Sequence, residues 1–438
     1  MQLDRLYLEN YRLFSSLEIP FNKKLTVLAG TNGAGKTSVL EAAVIAVGTM
    51  FTKLDGISGE SIKKTDAHLK SFEMGNSDSV QAIYPVKISA KGCVNNNDFE
   101  WTRSLNTSKG SMTVKDAKDL INYSEFLQQC LRNGDQELIL PIVAYYGTGR
   151  LWDNHREKGK SVSGMNTRIN GYLDCLDGTA NIKLMMSWFK KMTIRKYQKH
   201  ERNQGNVIEL EVVYQALKSC FSSITGFSNI DIMYNLDTDN LDIYYTDSDN
   251  FCMRIPLNQL SAGYKGALSL IADIAYRMAV LNPQLSTNIL TETDGIVLID
   301  EIDLHLHPQW QKRILSDLTK IFPKVQFIVT THAPAVINSV HSENLVLLKD
   351  SQVWTVGTQV YGKDIKSVLS EIMGVEDRPD ELVEHFKRFY TLLDNKDFDE
   401  AETVLNRIDT LRDYHDPEVS SCRVKLKIER IRGGNQKV

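Results

Sequence analysis

The chain has 438 residues, of which 42% are apolar and 24% charged, and its formal net charge is −4. That composition excludes a disordered chain, and the length predicts one large unit with smaller additions. No net positive field draws the whole molecule to nucleic acid or an anionic membrane, so any such contact has to be a local patch or belong to a partner.

In chain order, residues 3–14 alternate apolar and polar, and residues 24–28 form a β-prone run ending at Gly30. Both read as strands leading into a glycine-rich turn. Residues 38–47 carry Ala, Leu, Ile and Val with no glycine or proline before Gly48, which predicts a buried helix. Residues 55–79 are polar and irregular, and residues 80–90 and 99–104 predict strands of an antiparallel addition. Residues 138–146 predict a further strand running into Gly147-Thr148-Gly149-Arg150.

Residues 158–171 read as a loop, 183–194 as a helix, and 195–206 as a basic polar stretch; strands are predicted at 230–234 and 241–245. No sustained heptads occur between Phe51 and Pro256, so long coiled-coil arms are not expected. The second half of the core spans residues 257–349. Past Asp350, turn signals at Gly357 and Gly362 precede a helical tail, in which Phe398, Ala401, Val404, Leu405 and Ile408 share one helical face. The segments expected are therefore 1–150, 151–256, 257–350 and 351–438.

The six cysteines are scattered with no CxxC pair, which signals neither a zinc site nor a disulfide framework. No secretory signal and no run of about 20 apolar residues is present, so a cytoplasmic location is expected.

Gly30-Thr31-Asn32-Gly33-Ala34-Gly35-Lys36-Thr37 fits G-x-x-x-x-G-K-[ST] between a strand and a helix. Gly30, Asn32, Gly33 and Gly35 let backbone N–H groups curl around phosphate oxygens, Lys36 adds a positive charge, and Ser38 opens the helix. The Thr37 hydroxyl is a candidate Mg²⁺ ligand. A β-branched run ends in Asp300-Glu301. Asp300, at the carboxyl end of a buried parallel strand, is placed to reach the Mg²⁺ shell, and Glu301 to orient and deprotonate the attacking water. Another apolar strand, 326–330, ends at Thr331-His332-Ala333-Pro334, and Leu260-Ser261-Ala262-Gly263-Tyr264-Lys265 precedes an apolar helix. Taken alone, that serine reads equally well as a helix cap.

The order phosphate loop, Leu-Ser-x-Gly, Asp-Glu, histidine resembles ABC-type ATPases. Leu8-Glu9-Asn10-Tyr11-Arg12-Leu13-Phe14, Ile302-Asp303-Leu304-His305-Leu306-His307-Pro308 and Thr331-His332-Ala333-Pro334 narrow the resemblance to the RecF, SMC and OLD branch. The resemblance implies an α/β head with a mixed sheet, a phosphate-loop core, an antiparallel β addition, an inserted helical segment and a helical tail. It further implies ATP and Mg²⁺ as cofactors and a head-to-tail homodimer in which Ser261 and Gly263 close over the nucleotide of the other copy. His332 would sense the γ-phosphate, Arg12 would lie near the phosphates, and Asp303 would line the dimer seam. Gln81 is the nearest candidate for the family's Q-loop glutamine.

Tyr145 to Arg150 and Gly374 to Pro379 also resemble the PtuA-type ATPases of Septu and retron-linked phage defence, which act with a separate HNH nuclease, PtuB. No Toprim-like acidic constellation and no His-Asn-His pattern is found in this chain. His305 and His307 suit the dimer seam better than a metal. The leading expectation is an ATPase that controls an effector nuclease. The alternative is a RecF-like repair ATPase acting directly on DNA through the basic stretches 190–202 and 423–432.

Overall fold

In a computed structural model, which describes all residues except 75–76, 152–166, 179–181, 247–250, 356–358, 377, 412–416 and 435–438, the amino-terminal alternation becomes a ribbon. Strands β1 (Gln2–Tyr11) and β2 (Phe14–Pro20) pair antiparallel and bury Leu6, Leu8, Leu17 and Ile19 on one face. Strand β3 (Leu25–Gly30), buried throughout, enters the phosphate loop, and α1 (Lys36–Val47) leaves it. After the ribbon β4 (Leu69–Met74) and β5 (Ser77–Ala82), strands β6 (Val86–Val94) and β7 (Asn97–Leu105) complete a four-stranded sheet ordered β2-β1-β6-β7. That sheet pins the end of α1, since Trp101 Nε1 donates to the Ala46 carbonyl at 3.0 Å and Arg103 donates to Thr49 Oγ1 at 2.9 Å.

Helix α2 (Lys118–Arg132) precedes β8 (Ile142–Tyr146); α3 (Ile182–Glu201) and α4 (Ile208–Thr225) then lead to a three-stranded sheet of β9 (Ser228–Asn235), β10 (Asn240–Thr246) and β11 (Cys252–Pro256). Helix α5 (Ala262–Leu281) is buried along most of its length and packs on α4. The chain continues through α6 (Ile289–Glu292), β12 (Gly295–Ile299), α7 (Pro308–Gln311), α8 (Ile314–Ile321), β13 (Val325–Thr330), α9 (Pro334–Ile337), β14 (Leu345–Lys349) and β15 (Gln352–Thr355).

The central sheet runs β15-β14-β3-β13-β12-β8. Five of its strands are mutually parallel and only the edge strand β15 is antiparallel. Strands β3, β12 and β13 are buried at every residue, as expected of parallel strands covered on both faces, and this is why they read as mainly apolar runs. Because β13 lies between β3 and β12, the carboxyl ends of all three meet, the usual ligand position in such sheets.

The chain divides into two compact units, Met1–Lys363 and Asp364–Val438. Segments 1–150, 151–256 and 257–350 all fall in the first. The division lies past residue 350 because β15 turns back on β14 and extends the central sheet. The second unit holds α10 (Ile365–Ser367), α11 (Asp380–Asp394), α12 (Phe398–Thr410) and α13 (Pro417–Gly434), with Phe389, Ala401, Leu405, Ile408 and Cys422 in its core. The α/β class with a mixed sheet, antiparallel addition and helical carboxyl-terminal region is the one expected.

Several local readings change. Residues 80–90 are two strands, broken around Pro85, which has no N–H to give a ladder. The basic stretch after residue 194 is mostly the continuation of α3. Helices α2 and α4 and strand β11 were not anticipated. Most of the loop at 158–171, and the turn signal at Gly357, lie outside the described residues. Among the described residues no helix is long and apolar enough to cross a membrane, and the six cysteines form no disulfide.

Candidate nucleotide site

The phosphate loop is shaped by close approaches that exclude side chains. Gly30, at φ 152°, would place a Cβ 2.3 Å from the Leu348 carbonyl oxygen, and Gly35, at φ 93°, would place one 2.5 Å from the Phe14 ring. Gly35 caps α1 in a left-handed conformation that glycine adopts without steric cost. The loop therefore turns tightly and aims the first N–H groups of α1 into a cleft of about 300 Å³. Asn32, Gly33, Gly35, Lys36, Thr37, Ser38, Asp300, Glu301, Thr330 and His332 line it, with Leu13.

Lys36 is buried and its Nζ donates to the carbonyls of Gly30 and Thr31, both at 3.0 Å. Burial pushes its ammonium down to about 8, against the opposing pull of Asp300, Glu301 and Asp303. A phosphate in the cleft would supply the compensating charge that burial removes.

The acidic side of the cleft is held by threonines. The Thr37 hydroxyl lies 3.0 Å from Asp300 Oδ2, and the Thr330 hydroxyl donates to Asp300 Oδ1 at 2.6 Å. The Glu301 N–H donates to the same Thr330 oxygen at 2.7 Å. Glu301 itself sits at φ 47°, a left-handed backbone that costs a non-glycine residue roughly 1–3 kcal/mol unless its surroundings impose it. Burial, and then the Lys36 charge, lower the His332 imidazole below its usual range, which favours the neutral ring with one donor and one acceptor nitrogen. Thr37 and Asp300 offer hard oxygen donors of the kind Mg²⁺ takes together with phosphate oxygens. Among the described residues no three His, Cys, Asp or Glu side chains are gathered into a metal cage.

Four expected participants stand outside the cleft. Arg12 is held by ion pairs to Asp66, at 2.9 Å, and Glu41; it reaches the site only through Ser38 Oγ at 3.5 Å. Gln81 is exposed on the β4–β5 ribbon and does not line the cleft. Ser261 is exposed ahead of α5, and Gly263 is packed under His305, so neither contributes to this chain's own cleft. Sequence reasoning missed Thr330, whose only signal is a polar residue ending a buried apolar strand. A larger depression, about 790 Å³, lies near Gln2, Lys24, Asn95 and Asp294 and contains none of the motif residues.

Residues 5–224, half of the chain, match the family model described as AAA domain, and a second AAA-domain model matches residues 194–338. The chain is 24% identical to the protein named Retron Vc95 probable ATPase from Vibrio cholerae, over 90% of this chain and 84% of that one. It is 29% identical to Retron Ec83 probable ATPase from Escherichia coli, over 86% and 77% of the two chains. With Septu protein PtuA from Bacillus thuringiensis it shares 25% identity over 91% and 90%. The chain belongs to the AAA-domain family and is a nucleotide-binding ATPase of the SMC/RecF/OLD type, related to PtuA.

Proposed function

We propose that this ATPase is a nucleotide-operated switch in which two copies pair head to tail around two ATP molecules and control a separate HNH-type effector nuclease in anti-phage defence. The observation that carries the pairing is a division of labour within one chain. Lys36, Thr37, Asp300, Glu301 and His332 share a cleft, while Ser261 stands exposed outside it. In this reading the cleft is completed by Ser261 and Gly263 of a second copy. Lys36 and the N–H groups of α1 bind the phosphates, Glu301 orients water and takes its proton, and neutral His332 donates to the γ-phosphate oxygens. Thr37 and Asp300 would hold Mg²⁺, which when bound neutralises phosphate charge.

The defence setting is supported by the relatives named from retron and Septu systems. Direct action on DNA through the basic stretches is less favoured. Lys190 and Lys196 are paired with Asp239 and Glu211. Arg423, Arg430 and Arg432 are likewise paired with Asp409, with Asp399 and Glu402, and with Glu429. The test is Glu301→Gln in sedimentation with ATP. The variant should hold ATP, associate into dimers and turn over roughly 10²- to 10⁴-fold more slowly than the parent. A strictly monomeric ATP-bound variant would refute the pairing.

A further inference from the structure

Trp310 occupies a position that the nucleotide cleft does not explain. It stands in α7, shortly after Asp300 and Glu301, and its ring lies against Tyr264, with centroids 4.1 Å apart and planes inclined by 60°. Beside Tyr264, Gly263 has no room for even a methyl group. A Cβ there would come 2.7 Å from the His305 carbonyl oxygen and 3.0 Å from the Trp310 ring. The segment bearing Ser261 and the turn following Glu301 are thus in direct contact within one chain.

That turn is also tied down on its other side. The Ile302 N–H donates to the Thr330 carbonyl at 3.0 Å, and the Thr331 hydroxyl donates to Asp303 at 2.5 Å. Inside the turn, Leu304 N–H donates to the Glu301 carbonyl at 3.0 Å and Leu306 N–H to the Asp303 carbonyl at 2.9 Å. His305, like Glu301, has a left-handed backbone, at φ 60°. Two such residues in five positions persist only in a turn that its surroundings over-determine. The hydrogen bonds to β13 and the Trp310 contact supply that constraint from opposite sides.

We propose that Trp310 is a positioning residue that clamps the Ser261 segment to the Glu301 turn, so that the two move as one body. The inference rests on the head-to-tail pairing proposed above. There, Ser261 serves the second copy's nucleotide while Glu301 serves its own, and a rigid link makes the two sites close together. Tyr264 extends the link to the insert, since its ring also lies 6.1 Å from that of Phe221 on α4.

The test compares wild type, Trp310→Ala, Trp310→Phe, Tyr264→Ala and the Trp310→Ala/Tyr264→Ala double variant, all as full-length protein. ATP affinity measured by calorimetry should be unchanged, because the cleft is intact. The clamp predicts that kcat falls by roughly 10²-fold in Trp310→Ala with little change in KM, as expected when catalytic groups are misplaced by about 1 Å. Trp310→Phe should regain most of the rate, and the double variant should be no slower than the singles. Tyr264→Ala breaks the same contact from the other side should Trp310→Ala lose its fold. Wild-type kcat in Trp310→Ala, or multiplicative losses in the double variant, overturns the clamp. Pairing is judged separately by Glu301→Gln with ATP. Normal association together with wild-type kcat in Trp310→Ala sinks the clamp alone, whereas absence of association sinks the pairing and the clamp with it.

Discussion

The Thr37 hydroxyl lies 3.0 Å from a carboxylate oxygen of Asp300 although the two residues are separated by 263 positions in the chain. They meet because β3 and β12 flank β13 in the central sheet, so the phosphate loop and α1 that follow β3 come to the same edge as Asp300, which directly follows β12. Removing either one should impair nucleotide chemistry without unfolding the sheet.

The depressed Lys36 ammonium gives ATP binding a pH signature. In the free protein Lys36 loses its proton near pH 8, while bound phosphate favours the charged form, so binding takes up a proton above that pH. Affinity should be flat below about pH 7.5 and fall by up to roughly tenfold per unit above pH 8. Lys36→Arg should abolish the fall, and Lys36→Ala should abolish tight binding altogether. Calorimetry at several pH values in two buffers reads both.

Complementation distinguishes action across a dimer seam from action within one chain. Ser261→Arg should leave ATP binding intact yet abolish turnover, and Lys36→Ala should abolish both. In the proposed head-to-tail pair, mixed dimers of the two variants carry both lesions at one site and none at the other. Partial recovery of hydrolysis on mixing is expected; a mixture no more active than its components would show that the two sites do not act independently.

Deep in the first unit, the Asp273 carboxylate accepts from Arg277 and from the Tyr146 hydroxyl, both at 2.7 Å, and Arg277 also donates to the carbonyls of Gly171 and Leu173. All three side chains are buried. Arg277→Met strands the carboxylate and should cost roughly 3–5 kcal/mol. Replacing Asp273 and Arg277 together by apolar residues should recover much of that loss. Urea titration of the single and double variants measures the difference.

The second unit has its own apolar core, so it can be removed at its boundary. A chain ending at Lys363 should still bind ATP but fail to retain the proposed effector subunit, if the full-length protein retains it. Retention at full stoichiometry would assign the recruiting surface to the first unit.

The motifs legible in the sequence are those whose chemistry restricts residue type. A phosphate loop demands glycines and a lysine at fixed spacing, and carboxylates at the end of an apolar run announce a strand facing a ligand. Helix α4 was hidden because Val207-Ile208-Glu209-Leu210-Glu211-Val212-Val213 alternates like a strand. Only its burial of Leu210, Val213, Tyr214 and Leu217 reveals the helical period. The engagement of Arg12 by Asp66 and Glu41, and the contact of Trp310 with Tyr264, leave no local pattern, since both arise from segments brought together by the tertiary fold.

The strand order also dictates when a nascent chain can acquire its nucleotide site. Strand β3 is synthesised among the first residues, yet its two neighbours, β13 and β14, come from the last third of the chain. Until those segments leave the ribosome both edges of β3 lack their partners, and the phosphate loop has no carboxylates or histidine opposite it. ATP can therefore stabilise only the finished head, by selective binding to the folded state, and cannot template its early folding. For the same reason the β3 segment spends most of synthesis without its strand partners and open to mispairing.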